Sequence, residues 1–168
     1  MKRLVILLVA PRYHTNQVGI VRALLSHGHD VHFHVRTKGF TEDYSLIEPI
    51  LFPESWLTFL VRRLFGEGGA NNKRYMPSPV IYWQALKKLK PDIVIIRKHG
   101  LAFTYLAAFY SKLLNCRIIF YGQVDTLYFE KFKHKSILGK LRKIIFNLPL
   151  LVFKAAFITP LLSKKHSS

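Results

Sequence analysis

Residues 4–35 read LVILLVAPRYHTNQVGIVRALLSHGHDVHFHV, and their pattern predicts a strand, a loop, a helix and a second strand. The unbroken apolar run at residues 4–9 is typical of a strand that is covered on both faces. Apolar side chains at positions 18, 21, 24 and 25 form one stripe of a helix over residues 18–26. Gly28 follows, and glycine ends a helix at little energetic cost because it tolerates a positive φ. Residues 30–35 form the second strand. This succession is a βαβ unit, which predicts an α/β domain with a parallel sheet.

The remaining sequence continues the alternation of strands and helices. Further strands are predicted at residues 46–52, 93–96, 117–121 and 155–159, and further helices at residues 54–65, 80–89, 101–114 and 136–153. Ser55 is a candidate cap of its helix, and the glycine-rich residues 66–74 are predicted to form a surface loop. The expected fold class is a Rossmann-like parallel sheet with helices on both faces, in a single domain that spans residues 1–168.

The charge of the chain predicts an anionic partner. The 168 residues include 26 basic and nine acidic side chains, a formal net charge of +17. From residue 131 onwards, basic and large apolar residues alternate with no acid among them. This mixture favours an anionic membrane surface over nucleic acid, because a duplex groove gives Ile and Leu little to bury. We therefore expect a cytoplasmic protein that is peripheral on the inner face of the cell membrane.

The helices at residues 54–65 and 136–153 are the predicted membrane-contact elements, with core packing as the alternative explanation. The residues expected to contact lipid are Trp56, Phe59, Arg62, Arg63, Lys140, Arg142 and Lys143. Residues 144–162 are long enough to span a bilayer, but a lysine and two prolines within them argue against a span. The apolar run near the amino terminus superficially resembles a signal peptide, yet no good cleavage site follows it and the βαβ pattern needs it as a strand.

Three polar loops follow the first, fourth and fifth predicted strands, at residues 12–17, 97–100 and 122–125. Because the carboxyl ends of parallel strands share one edge of a sheet, we expect these loops to converge. Helix N-termini at that edge add amide donors for an anion. The side chains expected around one crevice are His14, Asn16, Gln17, Arg97, His99, Gln123 and Asp125.

Each of these residues also has a purely structural explanation. Thr15 or Asn16 can cap the first helix. Arg97 can be a solvated charge, and His99 can pack within its own turn. Asp125 can cap the segment that follows it. The sequence leaves both explanations open.

The sequence argues against a resident metal or cofactor in this chain. Histidines at positions 27, 29, 32 and 34 suggest a metal tract, but strand alternation places His32 and His34 on one face, where we expect no carboxylate or thiolate partner. No Walker lysine, dinucleotide-binding glycine pattern or nucleophile elbow is present. The single cysteine, Cys116, excludes a disulfide within the chain, and we expect it to be a small buried hydrophobe.

Four segments carry a resemblance to a known family. They are GHDV at residues 28–31, KPDIVIIRKHG at 90–100, CRIIFYGQVD at 116–125 and KAAFITPLLSKKHSS at 154–168. Together with residues 5–35 they resemble the amino-terminal, acceptor-side domain of GT-B glycosyltransferases of family 4. That family opens with a strand, a ligand loop, a helix and a Gly-His-x-Val entry to its second strand. The resemblance covers nearly the whole chain.

The resemblance implies transfer of a sugar from a nucleotide-activated donor to a lipid-linked or surface glycan acceptor held by this domain. The catalytic residues expected on this basis are Asp125, His99 and Gln123, and the substrate-binding residues are His14, Asn16, Gln17, Gly19, Arg97 and Gly100. Asp125 can accept a proton from an acceptor hydroxyl, whereas the neutral side chain of Gln123 can only hydrogen-bond.

Two departures from the family pattern affect this assignment. The first loop lacks the usual glycine pair and has only Gly19 nearby, and Gln123 stands where the family often has a histidine. The family's donor-binding half would follow about where this sequence stops. We therefore expect a C-terminal domain or a partner chain to bind the nucleotide sugar, and this chain to be inactive alone.

Two other classes of function are weighed against a glycosyltransferase. One is a non-catalytic, membrane-recruiting subunit that scaffolds a separate catalytic chain. The other is a nucleic-acid binder, which only the charge favours, because the aromatic residues sit in apolar runs and not as spaced stacking platforms.

Overall fold

A computed structural model describes residues 2–39, 42–65, 75–97, 102–121 and 156–158. Within these residues the strands are β1 (Val5–Ala10), β2 (Asp30–Val35), β3 (Ile50–Leu51), β4 (Ile93–Arg97), β5 (Arg117–Tyr121) and β6 (Ala156–Ile158). The helices are α1 (Thr15–Ser26), α2 (Trp56–Phe65), α3 (Pro79–Leu89) and α4 (Ala102–Leu113).

The strands form one parallel sheet in the order β3-β2-β1-β4-β5-β6. The strand order reverses between β1 and β4, where Leu7 pairs with Val94 and Leu8 pairs with Ile95. In a sheet of this kind ligands bind outside the carboxyl ends of the strands at the reversal. The prediction that the first, fourth and fifth strands run side by side in one direction is therefore confirmed.

The two faces of β1 pack against different helices. Ile6 and Leu8 lie in one core cluster with Val21 of α1. Leu7 and Val9 lie in a second cluster together with buried residues of α3 and α4. Alternate side chains of a strand point to opposite faces, so the apolar run of β1 supplies both cores. The predicted Rossmann-like sheet with helices on both faces is confirmed.

Several predicted boundaries are wrong by a few residues, each for a local reason. The third strand is only two residues long, and Leu46 and Ile47 pack instead as half-buried side chains against the α1 core. α2 begins at Trp56 and not at residue 54, because Glu54 forms a β-bridge with Pro77. The hydroxyl of Ser55, the predicted cap, donates to the carbonyl oxygen of Met76 at 2.9 Å.

The start of α1 also differs from the prediction. The helix begins at Thr15 with His14 as its N-cap, so neither Thr15 nor Asn16 caps it. Gln17 completes the first turn by accepting the His14 backbone N–H on its side-chain oxygen at 2.7 Å. At the other end Gly28 has a φ of 76°, the left-handed conformation expected just past a helix.

The predicted loop at residues 66–74 and the predicted basic helix at residues 136–153 lie outside the described residues. None of the described helices is both long and apolar enough to cross a bilayer. Cys116 is half-buried against the α4 side of the sheet, and this burial raises the pKa of its thiol.

Candidate functional site at the carboxyl edge of the sheet

A hydrogen bond joins the two sides of the point where the strand order reverses. An Nη of Arg97, the last residue of β4, donates to the Asn16 side-chain oxygen in the first turn of α1 at 2.7 Å. The two residues are 81 positions apart in sequence. The structure therefore brings together two of the residues that the sequence placed in one crevice.

Arg97 is held in a partly desolvated position. Burial lowers the pKa of its guanidinium, while Tyr121, its partner in register on β5, acts in the opposite direction. Among the described residues no carboxylate forms an ion pair with it. A guanidinium has five N–H donors, and one of these engages Asn16. The arrangement is suited to an anionic ligand, because charge-assisted bonds to phosphate or carboxylate are strong for arginine.

The β1–α1 loop holds His14 beside the guanidinium of Arg12. The Nε of Arg12 lies 3.2 Å from Nε2 of His14 and 3.1 Å from Oε1 of Glu42. His14 is half-buried and also forms the N-cap of α1. Its predicted role in binding substrate stays a prediction.

Gln17 and Gly19 occupy different environments on α1. Gln17 is buried and its side-chain oxygen accepts a hydrogen bond from the His14 backbone N–H, so it stabilises the β1–α1 loop. Gly19 is exposed, and a Cβ added there would meet nothing within 4 Å. Neither backbone conformation nor packing among the described residues requires glycine at that position.

Four of the predicted site residues, Asp125, Gln123, His99 and Gly100, lie outside the described residues. The strands that precede them, β4 and β5, are adjacent and parallel. Their predicted roles stay predictions.

The sequence analysis missed a buried carboxylate at the same edge of the sheet. Glu42 follows β2 and accepts hydrogen bonds from the Gly39 N–H at 3.0 Å and the Tyr44 hydroxyl at 2.7 Å. A Cβ on Gly39 would come within 2.6 Å of the Glu42 side chain, so a larger residue there would displace this carboxylate. Because the same carboxylate pairs with Arg12, it links the loop after β2 to the loop after β1. The sequence did not distinguish Glu42 from the neighbouring acid Asp43, which is exposed.

The predicted membrane-contact residues divide into three groups. Trp56, Phe59 and Arg63 are exposed on α2. Arg62 instead forms an ion pair with Glu54 at 2.8 Å. The remaining predicted contacts, Lys140, Arg142 and Lys143, lie outside the described residues.

The histidines of β2 alternate as predicted, but one has a partner that the prediction missed. Nε2 of His32 lies 3.0 Å from Oδ1 of Asp30, which is two residues earlier and therefore on the same face. His34 is buried beside Phe52 and Tyr82, with ring centroids 4.9 and 5.6 Å away. Burial, and secondarily His32, lowers the pKa of His34 to about 3. His34 is thus a neutral core side chain, and the described residues contain no group of three potential metal ligands.

Comparisons with models of protein families, with curated proteins and with solved structures found no match to this chain. The fold itself defines an α/β protein with a Rossmann-like parallel sheet.

Proposed function

We propose that this protein is the acceptor-binding half of a membrane-associated glycosyltransferase. In this proposal a sugar passes from a nucleotide-sugar donor to a lipid-linked or surface glycan acceptor. The observation that carries the proposal is the hydrogen bond between Arg97 and Asn16 across the reversal of the strand order. It holds a half-buried cation where Rossmann-like sheets bind their ligands, beside the N-terminus of α1.

The chemistry needs one anion-binding group and one proton acceptor. Arg97 and Asn16 contact the phosphate oxygens of the bound substrate, with His14 and Gln17 supporting the loop. Asp125 accepts the proton of the acceptor hydroxyl as that oxygen bonds to the anomeric carbon and the bond from this carbon to the donor phosphate breaks. His99 and Gln123 orient the acceptor, while Gly19 and Gly100 leave room for it. The nucleotide sugar is bound mainly by a C-terminal domain or a partner chain.

The test is sugar transfer by the chain combined with its donor-binding domain or partner. A panel of labelled nucleotide sugars is incubated with a membrane lipid extract, and label in the lipid or glycan fraction is counted. Asp125→Asn should lower turnover by about 100-fold or more with little change in melting temperature. Arg97→Gln should raise KM, whereas the matched charge loss Lys88→Gln, on the exposed side of α3, should not.

Two results would contradict the proposal in separate ways. An unchanged rate for Asp125→Asn removes that residue from the mechanism. If Arg97→Gln and Lys88→Gln have equal kinetics, the reversal point is not the substrate site.

The second candidate is a non-catalytic subunit that recruits a separate catalytic chain to the membrane. The exposure of Trp56 and Phe59 favours it as well, because membrane attachment alone uses these residues. It predicts tight co-purification with a catalytic chain whose rate is indifferent to Asp125→Asn.

A further inference from the structure

Helix α2 turns a polar side chain inwards. Thr58 is 1% exposed, and its hydroxyl both donates to the Met76 carbonyl oxygen at 2.8 Å and accepts the Met76 N–H at 2.9 Å. The Ser55 hydroxyl donates to the same carbonyl, and the ion pair of Arg62 with Glu54 ties the following turn back to the segment before the helix. These polar contacts fix which side of α2 faces the protein.

The opposite side of α2 presents large apolar residues to the exterior. Trp56 is 72% exposed, Phe59 is 68% exposed, and Leu60 and Arg63 are exposed as well. The spacing i, i+3, i+4, i+7 places these four residues, which we term the outward stripe, on one face of the helix. A surface helix of a globular protein normally turns such a stripe towards the core. In α2 the outward stripe faces the exterior instead, although the helix also carries apolar residues on its other side, where Leu57 is half-buried.

The start of α3 presents two further apolar residues to the exterior. Val80 and Ile81 are 64% and 46% exposed. The segment before α3 pairs with the segment before α2 through a bridge between Glu54 and Pro77. α2 begins just after β3, and Tyr82 of α3 contacts His34 near the end of β2. Both helices therefore begin at the carboxyl edge of the sheet.

We propose that the outward stripe, together with Val80 and Ile81, inserts into the interfacial region of an anionic lipid bilayer. Tryptophan, phenylalanine and leucine on one helical face with an adjacent arginine are typical of interfacial helices. The excess of 26 basic over nine acidic residues supplies the charge complementarity, since each basic residue near an anionic surface adds to the attraction. The bilayer then contacts the edge of the sheet that bears Arg97.

This geometry deepens the proposed function and rests on it for one point, the class of acceptor. The acceptor is an amphiphile whose tail stays in the bilayer and whose polar end reaches the carboxyl edge of the sheet. Attachment of the outward stripe to lipid does not itself depend on sugar transfer.

The experiment is vesicle flotation of the full chain with phosphatidylcholine alone and with a phosphatidylcholine and phosphatidylglycerol mixture. The wild-type chain should float with the mixed vesicles far more than with phosphatidylcholine. The double variant Trp56→Ser, Phe59→Ser should lower the partition coefficient by about tenfold or more, because two large apolar side chains no longer enter the bilayer. Phe109→Ser is the control for loss of an exposed aromatic side chain, since Phe109 is 50% exposed on a different helix, α4.

A second measurement leaves the outward stripe intact. The chain has two tryptophans, so Trp83→Phe makes Trp56 the sole tryptophan. Its emission should shift to the blue on mixed vesicles and should be quenched by brominated lipid.

Each alternative outcome contradicts the inference. Absence of flotation, equal flotation of the double variant, or an unshifted Trp56 emission shows that the outward stripe does not enter lipid. A lipid-free oligomer that the double variant converts to a monomer shows that a second copy covers the stripe. Flotation is measured without a sugar donor or an acceptor, so a failure of the catalytic proposal leaves this result unaffected.

Discussion

His34 should make the stability of the protein depend on pH in acid solution. Its ring is 2% exposed, lies between Phe52 and Tyr82, and has Nδ1 3.5 Å from the Tyr82 hydroxyl oxygen. Protonation would place a charge in this aromatic environment, with His32 adding repulsion. The burial of the ring therefore lowers the pKa from the ordinary value of 6.5 to about 3 in the folded protein.

The direction of the effect follows from which state binds the proton. Between pH 6.5 and about 3 the unfolded chain is protonated at His34 while the folded chain is not. The contribution to stability is thus fully present above pH 6.5 and is lost as the pH falls towards 3. These values make the free energy of unfolding about 2 kcal/mol lower at pH 5 than at pH 8 from this group alone.

The assay is urea denaturation followed by circular dichroism at both pH values. Because other groups titrate as well, the measured quantity is the pH-dependent difference between the wild type and His34→Asn. The asparagine oxygen takes the place of Nδ1 beside Tyr82, and the smaller side chain adds a cost that does not vary with pH. If His34→Asn keeps the wild-type dependence on pH, His34 is not the neutral core residue described above.

Two further substitutions test the local structure. Thr58→Val should lower the free energy of unfolding by about 1–3 kcal/mol, because the N–H of Met76 loses its hydroxyl acceptor and the buried carbonyl keeps only its bonds from Ser55. An unchanged urea midpoint would show that α2 is not held this way. Lys90→Gly should raise the melting temperature. Lys90 follows the end of α3 with a φ of 49°, a conformation that is about 1 kcal/mol less favourable for a residue with a Cβ than for glycine. A lower melting temperature would refute this account of the helix end.

The fold was predictable from local patterns for specific reasons. The apolar run of β1 indicated a strand covered on both faces, and the two core clusters confirm it. Gly28 indicated the end of α1, because glycine is the residue that adopts a positive φ without steric cost, and this preference does not depend on distant neighbours. β3 was predicted too long, because whether apolar residues pair as a strand or pack as side chains depends on neighbours distant in sequence.

The candidate site was predictable only in its location. Parallel topology placed Asn16 and Arg97 at one edge, but the hydrogen bond between them depends on the reach of two side chains 81 residues apart. The buried carboxylate of Glu42 gave no local signal, because its ion-pair partner Arg12 lies in the separate loop after β1.

The sequence by itself determined the alternation of strands and helices, the parallel sheet and the strong positive charge, because hydrophobic periodicity and composition are properties of neighbouring residues. Only the tertiary structure decided which side of α2 faces the core. Apolar residues occur around that helix, so its periodicity does not choose a face. The hydrogen bonds between Thr58 and Met76, 18 residues apart in sequence, make the choice and leave Trp56 and Phe59 outside.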